Sequence, residues 1–528
     1  MPFIIQQIKA SLDCDKDSII SKALKKIDLS FSEVSDASIY KTSLDARKQN
    51  DIHFVHSIIV TLRNPELEKK ICNKNACCSY VESNRLSPVI SKNKRDGEIV
   101  IAGFGPAGMF AGLVLAEYGY NPIIFEKGEA IEERVRTVHE FWNGGKLNTN
   151  SNVQFGEGGA GTFSDGKLTT RINDPLCRYV LEEFVEMGAP KEILSKSKPH
   201  IGTDNLRNVV KAIRERIISL GGKVCFNSEI DEFEIKNDTL VSVSSNGKYI
   251  NCQALVLAIG HSARNTFVKL LEKGIFIENK PFSVGARIEH LQRDVDNSLY
   301  GKHTGNSLLP VGEYQLSHRE KDGRAVYTFC MCPGGFVVPA ASEENSAVTN
   351  GMSEFLRNQE NANSALVVSV SEKDFGNEPL AGLEFAKKLE QKAFKLAGSN
   401  YSAPATDVGT FLNDSRFSKS IIKPSYQRGV EKCDFNKLFP KEIADMMKIG
   451  IRKFSSQMRC FGDTSAILTA PETRTSSPIR IRRNENFESI STKNLYPCGE
   501  GAGYAGGIMS ASVDGIRIAL KIMETYAP

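Results

Sequence analysis

No stretch of the 528-residue sequence approaches the ~20 consecutive apolar residues that a membrane-spanning helix requires, so none is expected. An excess of one charge is also lacking. The 67 Lys and Arg against 63 Asp and Glu leave a net charge of +4, too balanced to announce a nucleic-acid or membrane partner. The opening MPFIIQQIKASLD has no basic leader followed by an apolar core and does not read as a secretory signal. The twelve cysteines are scattered, Cys77 and Cys78 are adjacent and no CxxC pair occurs, so reduced thiols in a cytoplasmic protein are expected. Internal repeats and low-complexity tracts are absent, and no metal-ligand cluster stands out. Hydrophobic residues at 41% and charged residues at 25% allow a sizeable core and exclude wholesale disorder. What the chain does have is glycine: 42 residues, many gathered in a few tight clusters.

Four segments differ in texture. Residues 1–95 read as a small N-terminal α/β domain and linker. Asp17-Ser18 is expected to cap a helix carrying Ile20, Leu24 and Ile27 on one face. Ile52, Phe54, His56, Ile58, Val60 and Leu62 alternate at the strand period, with His56 a half-buried strand residue rather than a metal ligand. Asn64 to Glu98, rich in lysine, reads as a solvated connector. Residues 96–280 open on Ile99-Val100-Ile101-Ala102, a run of the kind buried on both faces of a parallel sheet. Residues 281–485 alternate strands near Ala325–Ser342 with helices near Leu383–Ala397 and Lys441–Phe454. In the second helix Ile443, Met447, Ile451 and Phe454 form a core stripe. Residues 486–528 return to strand, glycine cluster and helix.

The glycine clusters carry the chemistry. Gly103-Phe104-Gly105-Pro106-Ala107-Gly108 lies between a strand and a helix. Its first glycine suits a tight turn, its second lets a pyrophosphate approach, and its third lets the helix pack on the strand. Glu126, 126 − 103 = 23 positions after Gly103, matches the acid expected about 20 residues on to bind a ribose hydroxyl. Lys127 follows it, and Arg134 is placed on the next helix, where it is expected to reach back to the nucleotide. This Rossmann-like fingerprint fits NAD and FAD equally.

A second cluster, Asn152 to Lys167, contains Gly158, Gly159, Ala160, Gly161 and Thr162. Its glycines allow a backbone wrapped around a flat ligand. A third, Cys498 to Met509, ends a strand and opens the last helix at Gly506-Gly507-Ile508. That helix start suits the negative charge of a reduced flavin ring, with Gly499 and Glu500 toward the ribityl chain. A nicotinamide dehydrogenase has no use for this second anion site, so FAD is preferred.

These stretches also resemble a family of FAD-dependent oxidoreductases of bacteria and plastids within the glutathione-reductase-like flavoprotein group. The resemblance rests on IVIAGFGPAGMFAGLVLAEYGYNPIIFEKG, NSNVQFGEGGAGTFSDGKLTTR, KPHIGTDNLRNVV, FCMCPGGFVVPAASEE, ETRTSSPIRI and LYPCGEGAGYAGGIMSASVDGI, with SLDARKQNDIHFVHSI near the start. It implies bound FAD in contact with the residues of the three clusters and with Gly260; Ile230 is counted in the same set. Glu500 stands where many flavoproteins of the wider group have aspartate.

The expected fold class is α/β, a Rossmann-like FAD-binding domain (96–280 and 486–528). It carries an inserted mixed α+β substrate domain (281–485) and a small N-terminal α/β, ferredoxin-like domain. The expected activity is FAD-dependent oxidoreduction of a small organic substrate. No second GxGxxG follows a strand, so NAD(P)H is expected at most as a transient electron donor. Cys332, Arg474, His290 and Arg287 are the catalytic candidates, Arg287 with Glu289 and His290 as an acid/base set. Arg474 belongs to a basic cluster with Thr475, Ser476, Ser477, Arg480 and Arg482 that suits a carboxylate or carbonyl. Cys330 and Cys332 are read as structural thiols facing opposite sides of their strand, because one intervening residue strains a disulfide. Two other classes stay open: a tRNA-modifying flavoenzyme and a flavin-bound sensor or assembly factor. A homo-oligomer or an electron-transfer partner is also compatible.

Overall fold

The computed structural model describes residues 2–81, 86–413 and 422–528. The N-terminal unit is one antiparallel sheet in the order Val34–Asp45, His53–Leu62, Phe3–Ala10, Cys78–Tyr80, backed by helices Lys16–Lys26 and Pro65–Lys74. The first helix is capped by Asp15, not Asp17-Ser18: its carboxylate accepts from the Ser18 N–H and hydroxyl. The expected connector after Asn64 is in part structured. Asn64 caps a helix with Pro65 at its first position, Cys72 of that helix is buried, and Cys78–Tyr80 completes the sheet. The lysines lie on the outer side of a helix whose apolar residues Leu67 and Ile71 join the core. The sheet docks on the rest of the chain through Thr42, which exchanges backbone hydrogen bonds with Ser195 and Ser197.

A parallel sheet follows, in the order Lys223–Cys225, Ile123–Phe125, Glu98–Ala102, Lys248–Leu257, Leu495–Pro497. Its last strand arrives from the C-terminal segment. Ile99 and Ile101 enter one core and Val100 and Ala102 the other, as a strand covered on both faces requires. Ile230–Lys236 and Thr239–Ser245 join the first half of Lys248–Leu257 as an antiparallel extension. Helix Pro106–Glu117, buried from Ala107 to Ala116, lies against this sheet and against the last helix, Ile508–Thr525.

The third sheet, within residues 282–472, runs Ser317–Arg319, Ala325–Cys332, Asn361–Val370, Phe282–Leu291, Ile467–Glu472, Ala403–Asp407, Val430–Lys432. Every residue of Phe282–Leu291 is buried, which marks it as a central strand. Helix Lys441–Gln457 packs on this sheet through Ile443, Met447, Ile451 and Phe454. The chain returns by pairing Ile479–Ile481 with Ile277–Asn279. Among the described residues no helix is long and apolar enough to cross a membrane.

Candidate functional site

The strand Glu98–Ala102 ends at Gly103, whose φ of +95° suits glycine; a Cβ there would stand 2.4 Å from the Ala258 carbonyl oxygen. Two residues later Gly105 is the N-cap of helix Pro106–Glu117, and no side chain caps that helix start. Its first N–H groups are free to meet an anion. A Cβ on Gly105 would find only Gly159 within reach, at 3.8 Å. The glycine turn and the second glycine cluster thus meet at backbone contact, with no side chain between them.

Glu126 ties the two glycine segments together. Its Oε2 accepts from Phe104 N (2.8 Å), and its Oε1 from Gly128 N and Gly156 N (2.9 Å each). Gly158 N in turn donates to the Phe104 carbonyl at 2.8 Å. Lys127 is already engaged: its Nζ lies 3.3 Å from Glu229 and over the Phe155 ring.

Arg134 does not reach back to a nucleotide. It is fully buried, and its guanidinium donates to the carbonyls of Asn152, Val153, Gly156 and Glu157. Burial pushes its pKa down to about 10, since no carboxylate is hydrogen-bonded to it. Arg134 is the clamp that shapes the glycine loop from behind. Beside it Glu157 accepts from Ile131 N and Arg214, and burial raises its pKa to about 7.

The C-terminal cluster meets the same place. A Cβ on Gly515 would lie 2.1 Å from the Ala107 carbonyl oxygen, so the last helix crosses the first turn of Pro106–Glu117 at backbone contact. Ile508 lies over Gly161, with its Cγ1 3.2 Å from where a Gly161 Cβ would be. Gly507 is the N-cap of the last helix, again without a side-chain cap, and Cβ atoms on Gly506, Gly507 or Gly260 would meet open space. Ala160–Phe163 forms a short 3-10 turn, in which the Thr162 hydroxyl donates to the Glu157 carbonyl. Gly103, Gly105, Gly159, Gly161, Gly499 and Ile508 therefore converge, although 404 residues (507 − 103) separate the first turn from the last N-cap. Ile230 is buried beside Phe125 and Val100 at the start of its strand.

Two further residues complete the cleft. His261 Nδ1 lies 3.3 Å from Glu500 Oε1, and Ser262 donates to Gln154 Oε1 at 3.1 Å. His261 Nε2 and Gln154 Nε2 are buried without a partner, which is costly unless a ligand supplies one. Both follow or interrupt glycine motifs, at Gly260-His261 and Val153-Gln154-Phe155, and that position was the available signal. The uncapped helix starts, the glycines that keep side chains away from them and the orphaned Gln154 amide together fit an elongated, anionic dinucleotide.

The catalytic candidates divide. His290 is not part of an acid/base set with Arg287. Along a strand, residues 287 and 289 share a face and 290 takes the other. His290 is buried between Tyr314 and Phe461, 4.7 Å from the latter ring, and burial lowers its pKa to about 4. Glu289 is held by Ser425 and Asn361, and burial raises its carboxyl.

Arg287 is also fully buried. Its Nε and Nη2 grip Glu472 at 3.0 Å each, and its Nη1 donates to the Cys330 carbonyl and Asn363 Oδ1. The basic cluster does not converge. Arg474 and Arg264 both grip the fully buried Glu390, whereas Arg480 stacks on Tyr504 and Arg482 pairs at the surface with Glu278. Arg474 keeps an unpartnered buried nitrogen, Nη1, as do Arg264 and Arg480 at Nε. The expectation that Cys330 and Cys332 face opposite ways does not hold: positions i and i+2 of a regular strand share a face, and here the Cys332 thiol turns back to the Cys330 carbonyl at 3.5 Å. All twelve cysteines are free thiols.

Residues 281–475 match the family described as FAD-dependent protein, C-terminal domain-like, and residues 1–61 match a domain of unknown function. A Clostridium beijerinckii protein named "Uncharacterized protein" is 47% identical over 531 residues, covering 100% of this chain and 99% of that one. The chain belongs to the same family as that protein. Among solved structures, the FAD-complexed glycerol-3-phosphate dehydrogenase of Bacillus halodurans is similar at 10% identity and a TM-score of 0.36. It covers 83% of this chain, which spans 66% of the dehydrogenase, just under two thirds. Glycine oxidase from Geobacillus kaustophilus is similar at 10% identity and a TM-score of 0.35, over 82% of this chain and 95% of the oxidase.

Proposed function

We propose that this chain is an FAD-dependent oxidoreductase acting on a small organic substrate, with its FAD domain built from residues 96–280 and 486–528. The observation that carries the reading is the meeting of two uncapped helix starts, at Pro106 and Ile508, beside the side-chain-free contact of Gly105 with Gly159. The match of residues 281–475 to a domain of FAD-dependent proteins supports it independently.

When bound, FAD supplies the hydride or electron transfer. The chain supplies position and field. Backbone N–H groups at Ala107 and Gly108 would meet the pyrophosphate, and Glu126 keeps lone-pair capacity for a ribose hydroxyl beyond its three backbone bonds. The start of the last helix favours negative charge at the ring's pyrimidine edge. Gln154 Nε2 supplies a donor and His261 Nε2 an acceptor that have no partner within the protein. Arg474, held rigid by Glu390 with Nη1 unpaired, is the group best suited to a substrate carboxylate or carbonyl.

NAD(P)H is proposed as a transient donor and the cytoplasm as the compartment. Anaerobic mixing of the FAD-loaded protein with NADPH and NADH, followed by an acceptor screen, tests the reading. Bleaching of the flavin and its reoxidation by an organic acceptor are expected. A protein that holds FAD yet exchanges electrons with no donor or acceptor contradicts the enzymatic reading and returns the sensor.

A further inference from the structure

Cys330 and Cys332 sit where their strand breaks its regular form. Opposite Asn361–Val370, Phe329 pairs with Ala365 and Cys332 with Asn363, so three steps on one strand meet two on the other. That is a bulge, and it falls on Cys330-Met331. Cys330 takes a φ of +43°, the left-handed region that a non-glycine residue occupies only when its surroundings force it.

The consequence is chemical. In a regular strand, Cβ atoms two residues apart are separated by roughly 6.6 Å of rise, too far for the 3.5–4.5 Å or so that a disulfide spans. Here the bulge interrupts that rise. The Cys332 thiol donates to the Cys330 carbonyl oxygen at 3.5 Å, so the second cysteine turns back on the first.

The surroundings favour one thiolate. Glu472 occupies Nε and Nη2 of Arg287, and Nη1, which donates to the Cys330 carbonyl and Asn363 Oδ1, lies 3.9 Å from Cys332 Sγ. Lys167 adds positive charge from the glycine loop, while Glu472 and Asp165 oppose it. Pairing with Cys332 lowers the Cys330 thiol against burial, while the same pairing and burial push Cys332 up. Cys330 is partly exposed and Cys332 buried, the arrangement of an attacking and a resolving thiol.

We propose that Cys330 and Cys332 form a redox-active dithiol site that takes a disulfide as its substrate. The Cys330 thiolate attacks one sulfur of the incoming disulfide, forming a mixed disulfide and releasing one thiolate. The Cys332 thiol gives its proton to that thiolate and attacks Cys330 Sγ, closing the Cys330–Cys332 disulfide and releasing the second thiolate. The substrate disulfide is reduced by the two electrons that the cysteine pair loses, and no other reactant is needed. The step goes beyond the flavin reading and does not depend on it.

The test uses full-length protein with and without FAD, glutathione disulfide as the probe, and peptide mass spectrometry as the readout. Wild type is expected to lose one hydrogen from each of the two thiols and to keep no adduct, and Cys332→Ser to hold a glutathione adduct on Cys330. Cys330→Ser is expected to show neither. Iodoacetamide labelling of wild type supplies a readout free of mutation. Cys330 should label on the order of ten-fold faster at pH 7 than Cys433, whose thiol burial pushes up, and its rate should fall off below about pH 6. A pair that stays reduced, an adduct on Cys332 instead, or labelling of Cys330 that rises only above pH 8 overturns the proposal. Loss of FAD binding alone would count against the flavin reading and leave these outcomes unchanged.

Discussion

Gly105 and Gly159 stand face to face with nothing between them: a Cβ on Gly159 would lie 3.1 Å from the Gly105 Cα, while one on Gly105 would be 3.8 Å from the Gly159 Cα. The spacing sets a one-sided tolerance. A methyl at Gly105 fits the protein, but branched methyls would occupy the space assigned to the pyrophosphate.

Gly105→Val is therefore expected to fold and to bind FAD at least about 100-fold more weakly, a loss of roughly 3 kcal/mol. Flavin absorbance after gel filtration, beside far-ultraviolet circular dichroism, gives both readings. A variant that keeps stoichiometric FAD removes the pyrophosphate from this turn.

Arg134 carries the second prediction. Arg134→Met leaves four carbonyls of residues 152–157 without their donor, and the expected cost is on the order of 3 kcal/mol in urea unfolding. Limited proteolysis should then cut within 152–163 first. Unchanged stability with altered FAD affinity would instead give Arg134 the nucleotide role that its buried position denies it.

How much of this was legible beforehand follows from the range of each interaction. The strand, glycine turn, helix, strand and acid from Glu98 to Glu126 are written in local periodicity, and the structure places them as read. The helix stripe Ile443, Met447, Ile451 and Phe454 is equally local. Arg134 is not, because its partners exist only once residues 152–157 fold over it. Arg474 likewise looked like part of a basic strand until Glu390, 84 residues upstream (474 − 390), arrived beneath it. The separation of His290 from Arg287 was available in the two-residue period of the strand. The bulge at Cys330 was not, since it depends on the register against Asn361–Val370.

His290 supplies a pH prediction. Its folded pKa, about 4, lies below the ordinary 6.5, so the folded state resists its protonation. The stability this group contributes is complete above pH 6.5 and is lost as pH falls through 4. His290→Phe should be close to neutral at pH 7 and should gain on wild type toward pH 4, by on the order of 3 kcal/mol at the limit. Urea midpoints at pH 7, 5.5 and 4 measure it. Parallel losses in both proteins would show that His290 does not titrate in this window. Turnover that depends on His290 would restore it as a catalytic group.

Glu390 balances two buried guanidinium groups, those of Arg264 and Arg474. Burial opposes its ionisation, but the two arginines win and hold its carboxyl well below the usual 4.5. Its contribution is thus present above pH 4.5 and lost as pH falls below that. Glu390→Gln should destabilise the fold by about 3–5 kcal/mol at pH 7, and the difference from wild type should narrow under acid. A constant difference across pH would contradict the ion-pair account.

The most direct test of the central claim is the visible absorption spectrum of the purified full-length chain, with the pigment released by denaturation and identified by mass. The account predicts a flavin spectrum, near-stoichiometric occupancy and release of intact FAD. Colourless protein that also fails to take up added FAD would contradict it.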